Sequence, residues 1–276
     1  MTIDTRDHLI AALANTNTRL LWAKDSITGQ LAGQYTSMWR ATGQPGQGAI
    51  PAAAAYCTSA LAGAVPFPNQ IAPATSYLGH HTLVCGTANT SAEIHDRIAH
   101  MGGLNGTLIT AQAVTIDLNT INAGGAIPAA RRGAANFSEV MWLLEWYNTT
   151  GPTASNATVN VTYDDDSTGN LAVIAVGGSI VASQCRQLLP AVPGRFIRAV
   201  NNVTLSASTG TAGSIGVTAT RQRAAMHAPL ANAVVDLDWA RLGLTNVPND
   251  SCLFLMLIST GSTTGTIRGQ TVLAHG

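Results

Sequence analysis

The stretch from Ala199 to Arg221 constrains the fold of this chain more than any other. Apolar residues alternate there with small polar residues in two runs, and a break rich in Thr and Gly separates the runs. Alternation with a period of two is typical of β-strands with one buried face, because successive side chains point to opposite sides of a sheet. A glycine-rich break between two such runs is typical of a turn. The stretch therefore predicts a half-buried β-hairpin.

The same pattern returns at the end of the chain. The run from Cys252 to Ser259 is followed by Thr-Gly-Ser-Thr-Thr-Gly and then by a second run from Thr266 to Ala274. Both segments contain Ser-Thr-Gly after their first run. This repetition predicts either a pair of related hairpins or one local pattern used twice.

Much of the remaining chain has the same strand character. Roughly ten to twelve segments have the pattern of strands, among them Ser76 to Cys85 and Thr107 to Leu118. The stretch from Ala92 to His100 fits either strand or helix spacing, and its turn-like flanks favour a strand. The glycine-rich stretch Met101 to Gly106 is predicted to be a tight loop. So many short strands predict a mainly β chain built of antiparallel β-sandwich modules, jelly-roll or immunoglobulin-like in type.

One short helix is expected, at the N-terminus. The segment from Asp4 to Asn15 has a short apolar face that includes Leu9 and Leu13. Either Asp4 or Thr5 can cap its first turn. A helix this short needs a surface to pack against, so we expect an arm that packs on a neighbouring subunit.

The segment from Phe137 to Tyr147 is expected to be a central strand. One face of its alternation is wholly apolar and carries Trp142, while the other is half apolar and carries Glu145. A strand that is apolar on both faces lies inside a sandwich, or faces both a core and a partner.

The length of 276 residues fits one large domain or two small ones. The stretch from Gly151 to Asn156 is rich in Gly, Pro, Ser and Thr, a composition typical of a linker. We therefore expect a β-rich N-terminal domain with the helical arm over residues 1–150 and a β-sandwich domain over residues 151–276. A single domain is the alternative.

Charged residues are scarce in this chain. They make up 10% of it, whereas soluble proteins average about 25%. Thr, Ser, Asn, Gln and Ala must form much of the surface, either as a neutral β exterior or because copies bury it. The formal net charge is +0, and basic residues cluster only at Arg131-Arg132 and at the spaced Arg221 and Arg223. Nucleic-acid binding through a basic patch is therefore not expected.

Membrane insertion and secretion are not expected either. No apolar run approaches the roughly 18 residues that a membrane-spanning helix needs, and the N-terminus lacks the regions of a signal peptide. The cysteines are far apart in sequence, which predicts buried thiols rather than disulfides or a zinc site. They are Cys57, Cys85, Cys185 and Cys252.

The segment from Asp164 to Gly169 resembles the start of a calcium-binding loop. Asp164, Asp166 and Thr168 have the spacing of the first oxygen ligands, but Ala175 takes the place of the bidentate glutamate. The pattern favours a polar hairpin turn, with a loose surface cation site as the alternative.

Histidines occur in two groups. His80 and His81 are adjacent, so on a strand they point to opposite faces and are not expected to share a metal ion. His95-Asp96, with His100 nearby, has the residue types of an acid–base pair, but no motif of a known catalytic class accompanies it. The sequence therefore predicts no enzyme, and no catalytic, cofactor-binding or metal-binding residues.

Two further patterns have simple explanations. The glycine pairs Gly102-Gly103 and Gly177-Gly178 lack the Lys and Ser/Thr of a phosphate-binding loop and fit turns or bulges. Asn-x-Ser/Thr triplets arise by composition in a chain this rich in Asn and Thr. Such triplets begin at Asn148, Asn156, Asn160 and Asn202.

Three segments of the chain resemble structural proteins of tailed bacteriophages. They are Gly29 to Pro51 (GQLAGQYTSMWRATGQPGQGAIP), His95 to Thr107 (HDRIAHMGGLNGT) and Ala207 to Arg221 (ASTGTAGSIGVTATR). The resemblance runs over most of the chain and carries no catalytic or ligand motif. It implies a virion component made in the host bacterial cytoplasm, of the capsid decoration or minor head type.

Such a protein self-assembles and binds the major capsid protein or other virion proteins. We expect a trimer, because capsid lattices offer threefold positions. One alternative is a tail, neck or fibre component, although the chain lacks the repeats of a long shaft. The other is a carbohydrate-binding or hydrolytic protein, which Trp39, Trp142 or Trp239 on the floor of a cleft with paired carboxylates would support.

Overall fold

The computed structural model describes residues 3–15 and 17–276. Strands dominate, and they pair antiparallel, which confirms the predicted mainly β chain with one short N-terminal helix. The α-helices are α1 (Arg6–Asn15) and the single turn α2 (Ala129–Arg132), and a 3-10 turn lies at Met38–Arg40. The strands are β1 (Asn17–Lys24), β2 (Tyr35–Ser37), β3 (Gly43–Gln44), β4 (Ala55–Tyr56), β5 (Ser76–Cys85), β6 (Thr90–Leu104), β7 (Gln112–Asp117), β8 (Met141–Asn148), β9 (Asn156–Tyr163), β10 (Thr168–Asn170), β11 (Ile174–Ala175), β12 (Cys185–Leu188), β13 (Ile197–Leu205), β14 (Ser214–Ala228), β15 (Val234–Asp238), β16 (Asn246–Val247), β17 (Leu253–Ile258) and β18 (Ile267–His275).

The chain forms two compact units. Unit 1 comprises Met1–Gly48, Thr58–Asp96 and Gln222–Gly276, and unit 2 comprises Ala49–Cys57 and Arg97–Arg221. The chain therefore enters unit 2 twice, and β6 and β14 each contribute residues to both units. The expected domain boundary after residue 150 lies inside unit 2, in the connection between β8 and β9.

Unit 1 is built from two groups of strands. One has the order β15-β5-β18-β1-β3, with β16 also paired to β5, and the other has the order β6-β17-β2. Leu20, Leu78 and Leu273 of the first group and Ile94 and Leu255 of the second belong to one buried apolar cluster. The apolar faces that alternation creates are thus buried against each other, as in a sandwich.

Helix α1 packs in unit 1 against β18 and β1 and buries Leu9 and Ala12. The backbone N–H of His8 donates to Oγ1 of Thr5 at 3.1 Å, so Thr5 caps the helix. Strands of the same chain thus cover Leu9 and Ala12, whereas Ile10 on this helix is 57% exposed. Packing of the helix on a neighbouring subunit stays a prediction.

Unit 2 has the same layered construction. One group of strands has the order β10-β9-β13-β7, with β11 also paired to β9, and the other has the order β12-β8-β14-β6. Val159 and Val203 from the first group share a buried cluster with Leu144, Trp146 and Val217 from the second. Strand β8 pairs on both sides and is buried along most of its length, which confirms its prediction as a central strand.

The two expected hairpins are not hairpins. The stretch from Ala199 to Arg221 does form two strands, but β13 pairs with β7 and β9 whereas β14 pairs with β8. At the C-terminus, β17 pairs with β2 and β6 whereas β18 pairs with β1 and β5. Each pair is a β-arch, a connection that carries the chain from one strand group to the other.

Loop length explains why these connections are arches. Eight residues separate the strands in each case, 206–213 and 259–266, whereas hairpin loops have about two to five. Alternation gives each strand one apolar face, but it does not say whether two such faces lie side by side or oppose each other across a core. The repeated sequence pattern thus forms the same strand–loop–strand arch twice, once in each unit.

Strand β6 is longer than expected. It runs through Gly102 and Gly103, where the sequence predicts a loop. A Cβ at Gly102 would lie 2.9 Å from Cγ2 of Ile50 and 2.9 Å from the carbonyl oxygen of Pro51. This glycine therefore permits close packing on a continuing strand, not a turn.

Candidate functional site

A polar cluster, here called the Arg97 cluster, lies in the interior of unit 2. Nη1 and Nη2 of Arg97 donate to the two carboxylate oxygens of Glu145, each at 2.8 Å. Nη1 also donates to the hydroxyls of Tyr147 and Thr218 at 3.0 Å and lies 3.2 Å from Nδ1 of His100. The Thr218 hydroxyl donates to Glu145 at 2.6 Å. Strands β6, β8 and β14 supply these groups, so the cluster joins three strands.

Electrostatics hold the Arg97 cluster in one charge state. Burial is the largest single effect and opposes the charge on Arg97, but the carboxylate of Glu145 and the neighbouring Tyr147 together outweigh it, so the pKa of Arg97 lies above its usual value. Burial, followed by the same carboxylate, raises the pKa of Tyr147 well above its usual value. No member of the cluster is more than 4% exposed. A closed ion pair with neutral hydroxyls can hold strands in place, but it presents no group to a substrate.

Sequence reasoning missed this cluster, although Glu145 offers a clue. Glu145 lies between Leu144 and Trp146 on the expected central strand, and a carboxylate inside a sandwich requires a cationic or hydrogen-bonding partner. The identity of the partner does not follow from the pattern, since Arg97 is 48 residues away.

A second buried arginine, Arg131, binds backbone carbonyls in unit 2. Its Nη1 donates to the carbonyl oxygen of Cys57 at 2.6 Å and its Nη2 to that of Arg97 at 3.0 Å. Its guanidinium carbon lies 4.9 Å from the ring centroid of Tyr56. The Arg131-Arg132 pair therefore does not form a basic surface patch, because one of its members is enclosed.

Unit 1 also encloses a cation, Lys24. Its Nζ donates to the carbonyl oxygens of Ala41, Pro45 and Gly46 at 3.1, 2.7 and 3.3 Å. Burial lowers the pKa of Lys24 to about 8, and the nearby carboxylate of Asp25 partly opposes this effect. The ammonium group satisfies the carbonyls of a loop and has no access to solvent.

His95 and Asp96 do not form an acid–base pair. Nε2 of His95 lies 2.7 Å from Oε2 of Glu93. Asp96 accepts from Nη2 of Arg223 at 3.0 Å and from the backbone N–H of Cys252 at 2.8 Å. Neighbouring residues on a strand face opposite sides, so these two side chains have separate partners.

His80 and His81 point to opposite faces of β5, as predicted. Nε2 of His80 lies 2.6 Å from Oδ1 of Asp236, while Nδ1 of the buried His81 lies 2.6 Å from Oγ1 of Thr271. Burial lowers the pKa of His81 to about 4.

The four cysteines are buried free thiols, as predicted. Over residues 3–15 and 17–276, no group of three or more His, Cys, Asp or Glu side chains is arranged to hold a metal ion.

The acidic turn from Asp164 to Gly169 connects β9 to β10 as a hairpin, which is the favoured prediction. Its three carboxylates do not converge on a common point. Asp164 accepts from the backbone N–H of Phe196, Asp165 from Ser167 and Arg195, and Asp166 from Arg198. Two of the three carboxylates are thus paired with arginines, and the geometry does not support the alternative of a cation site.

Two of the three tryptophans considered for a carbohydrate site are interior residues. Trp39 and Trp142 are 1% and 2% exposed, whereas Trp239 is 39% exposed. The indole N–H of Trp142 donates to the carbonyl oxygen of Ile197 at 2.8 Å. With so little exposed surface, neither Trp39 nor Trp142 offers a ring face on which a sugar could stack.

A neutral ladder of Asn and Thr covers the outer face of β9 and β13. Nδ2 of Asn160 donates to Asn170 at 2.8 Å, Nδ2 of Asn201 donates to Asn160 at 2.9 Å, and the Thr162 hydroxyl donates to Asn201 at 3.2 Å. The Asn-x-Thr triplets of these strands follow from alternation, with a buried apolar residue between Asn and Thr.

Among the residues that the structure describes, seven of the 28 charged side chains, 14 basic and 14 acidic, are buried. The charged side chains that the fold buries are Lys24, Glu93, Asp96, Arg97, Arg131, Glu145 and Arg223. Because charged residues are only 10% of the chain, the exterior is poor in charge compared with that of an average soluble protein.

Comparisons with known proteins identify no family for this chain. No protein-family model matches it, and no curated protein matches it. It is similar to the VP2 subviral particle of infectious bursal disease virus, at 10% identity and a TM-score of 0.20, over 94% of this chain and 80% of that one. T=1 particles of a mutant VP2 from the same virus match at 10% identity and a TM-score of 0.17, over 99% and 84%. At this identity and TM-score, the similarity supports no conclusion about fold or function.

No helix in the described part of the chain has the length and apolar character needed to cross a membrane.

Proposed function

We propose that this chain is a virion structural protein, of the capsid decoration or minor head type that occurs in tailed bacteriophages. The scarcity of charge carries the proposal. The few charged side chains are partly enclosed in the two units, and the exterior is rich in neutral polar residues. Surfaces that become buried between subunits are depleted of charge in the same way.

The resemblance of three segments to tailed-phage structural proteins supports the same role. A virion component needs rigid faces that meet copies of itself or a lattice, and it needs no reacting groups. The closed Arg97 cluster and the enclosed Lys24 fit this requirement, because both are used to hold strands and loops in place. The proposed partners are further copies of the chain, as a trimer, and the major capsid protein, in a particle assembled in the bacterial cytoplasm.

Multi-angle light scattering across a dilution series tests self-assembly. We expect a species of about three copies or more that persists on dilution. A monomer at every concentration would contradict the proposed role as a self-assembling component. A screen of polysaccharides for turnover tests the hydrolytic alternative, and hydrolysis of any of them would overturn a purely structural role.

A further inference from the structure

The side chain of Ile71 is 89% exposed, the highest exposure among the large apolar side chains that the structure describes. Ile71 lies in unit 1, in the connection that leads into β5. An exposed apolar side chain is ordinary when its loop is loose and its neighbours are polar. The loop that carries Ile71 is instead held in place.

Two reciprocal pairs of hydrogen bonds fix this loop. Nδ2 of Asn69 donates to Asp250 at 2.8 Å, and the backbone N–H of Asp250 donates back to Oδ1 of Asn69 at 2.9 Å. The backbone N–H of Gln70 donates to Asn249 at 2.9 Å, and Nδ2 of Asn249 donates back to the carbonyl of Gln70 at 2.8 Å. Three prolines between residues 66 and 73 restrict the backbone further. Ile71 is therefore a preorganised knob that loses little freedom on binding.

Unit 2 carries a groove that suits such a knob. The groove has a volume of about 180 Å³, and no charged side chain lines it. An apolar cavity of about 150 Å³ holds a benzene molecule, so there is room for the four-carbon side chain of isoleucine. The apolar residues that line it include Val140, Met141, Trp142, Leu188, Leu189 and Phe196.

We propose that Ile71 of one copy inserts into this groove on a second copy. Knob and groove are both uncharged, so their contact desolvates no ion. The two surfaces come from different parts of the chain, which makes the contact heterologous, and a heterologous contact either closes a ring or extends into a lattice. The inference rests on the proposed function and adds where the copies meet.

A disulfide cross-link tests the contact directly. The variant with Ile71→Cys and Leu189→Cys places thiols on the knob and on the groove rim, and the native cysteines are buried. We expect covalent dimers and larger species on a non-reducing gel after mild oxidation. The matched control pairs Leu189→Cys with Val234→Cys, an exposed position of unit 1, and should give none. Equal cross-linking in both variants, or no cross-linking in either, would contradict the proposed contact between Ile71 and the groove.

Ile71→Asp separates this inference from the proposed function. We expect it to raise the dissociation constant for self-association at least about tenfold, the factor that corresponds to 1.4 kcal/mol. Val234→Asp should leave that constant unchanged. If the wild-type chain assembles and Ile71→Asp assembles equally well, the knob contact is wrong while the assembly role stands. If the wild-type chain is monomeric throughout, the proposed function and the contact both fail.

Discussion

Arg97 places a full positive charge inside unit 2, where an unpaired ion would cost several kcal/mol. The two-pronged contact with Glu145 and the surrounding hydroxyls compensates for that cost. Each member depends on the others, because the loss of one leaves another polar group enclosed without its partner.

Arg97→Met leaves the carboxylate of Glu145 buried without its cation. We expect the free energy of unfolding, measured by urea denaturation, to fall by about 3–5 kcal/mol. The double variant with Glu145→Leu should recover part of the loss, since neither charge remains. Arg241→Met, at an exposed arginine, is the control and should change stability by less than about 0.5 kcal/mol. A similarly small loss for Arg97→Met would show that the ion pair is dispensable.

His81 makes the stability of unit 1 depend on pH. Its pKa is lowered by burial to about 4, whereas an unfolded chain has a histidine pKa of about 6.5. The neutral form is buried, so His81 contributes its full stability above pH 6.5 and loses it as the pH falls toward 4, because only the unfolded chain then takes up the proton.

We therefore expect the free energy of unfolding to fall by up to about 3 kcal/mol between pH 6.5 and 4 on account of this residue. His81→Asn should flatten that part of the stability–pH curve, measured by denaturant titration at each pH. His227→Asn, at an exposed histidine, should leave the curve unchanged. An unaltered slope in His81→Asn would assign the acid sensitivity to other groups.

At the scale of the elements, strand β8 organises unit 2. Its apolar face, with Trp142, Leu144 and Trp146, lies in the core, while its other face contributes Glu145 and Tyr147 to the Arg97 cluster. Both faces of this strand are buried because one packs in the apolar core and the other contacts the Arg97 cluster.

Trp142→Asp should abolish soluble folding, because it places a carboxylate with no cation in this core. Soluble yield and thermal melting measure the effect. Trp239→Asp, at a partly exposed tryptophan, is the control and should fold. Normal melting of Trp142→Asp would refute the central position of β8.

The stretch from Gly151 to Asn156 packs against the first arch, which is the connection 206–213. Gly151 lies in the stretch whose composition predicts a linker, yet a Cβ there would lie 1.9 Å from the carbonyl oxygen of Thr209 in the first arch. The backbone N–H of Thr153 donates to the same oxygen at 3.0 Å. The small residues of this stretch therefore permit close packing against the arch.

At the scale of the whole molecule, each unit is assembled from segments that are distant in sequence. The core of unit 2 combines residues from both sides of position 150, such as Trp142 and Val159. Unit 1 likewise combines segments from both ends of the chain.

Fragments 1–150 and 151–276, produced separately, should therefore not fold. We expect circular dichroism to show no cooperative melting for either fragment, because each lacks strands that complete both cores. The intact chain is the control. Cooperative melting of a fragment by itself would instead support two domains divided at residue 150.

The sequence alone determined what depends on neighbouring residues. The strands β5, β8 and β13 and the opposite directions of His80 and His81 follow from local periodicity. The sequence also narrowed the helix cap to Asp4 or Thr5, and the structure places it at Thr5. The sequence placed Glu145 on the half-apolar face of the expected central strand but did not predict its burial.

Only the tertiary structure decided which strands pair and which charges meet. Alternation is identical in a hairpin and in an arch, so it could not place β13 and β14, or β17 and β18, in different strand groups. The partner of Glu145 comes from a strand 48 residues earlier. Such contacts follow from chain topology, which brings distant segments together and which no local pattern records.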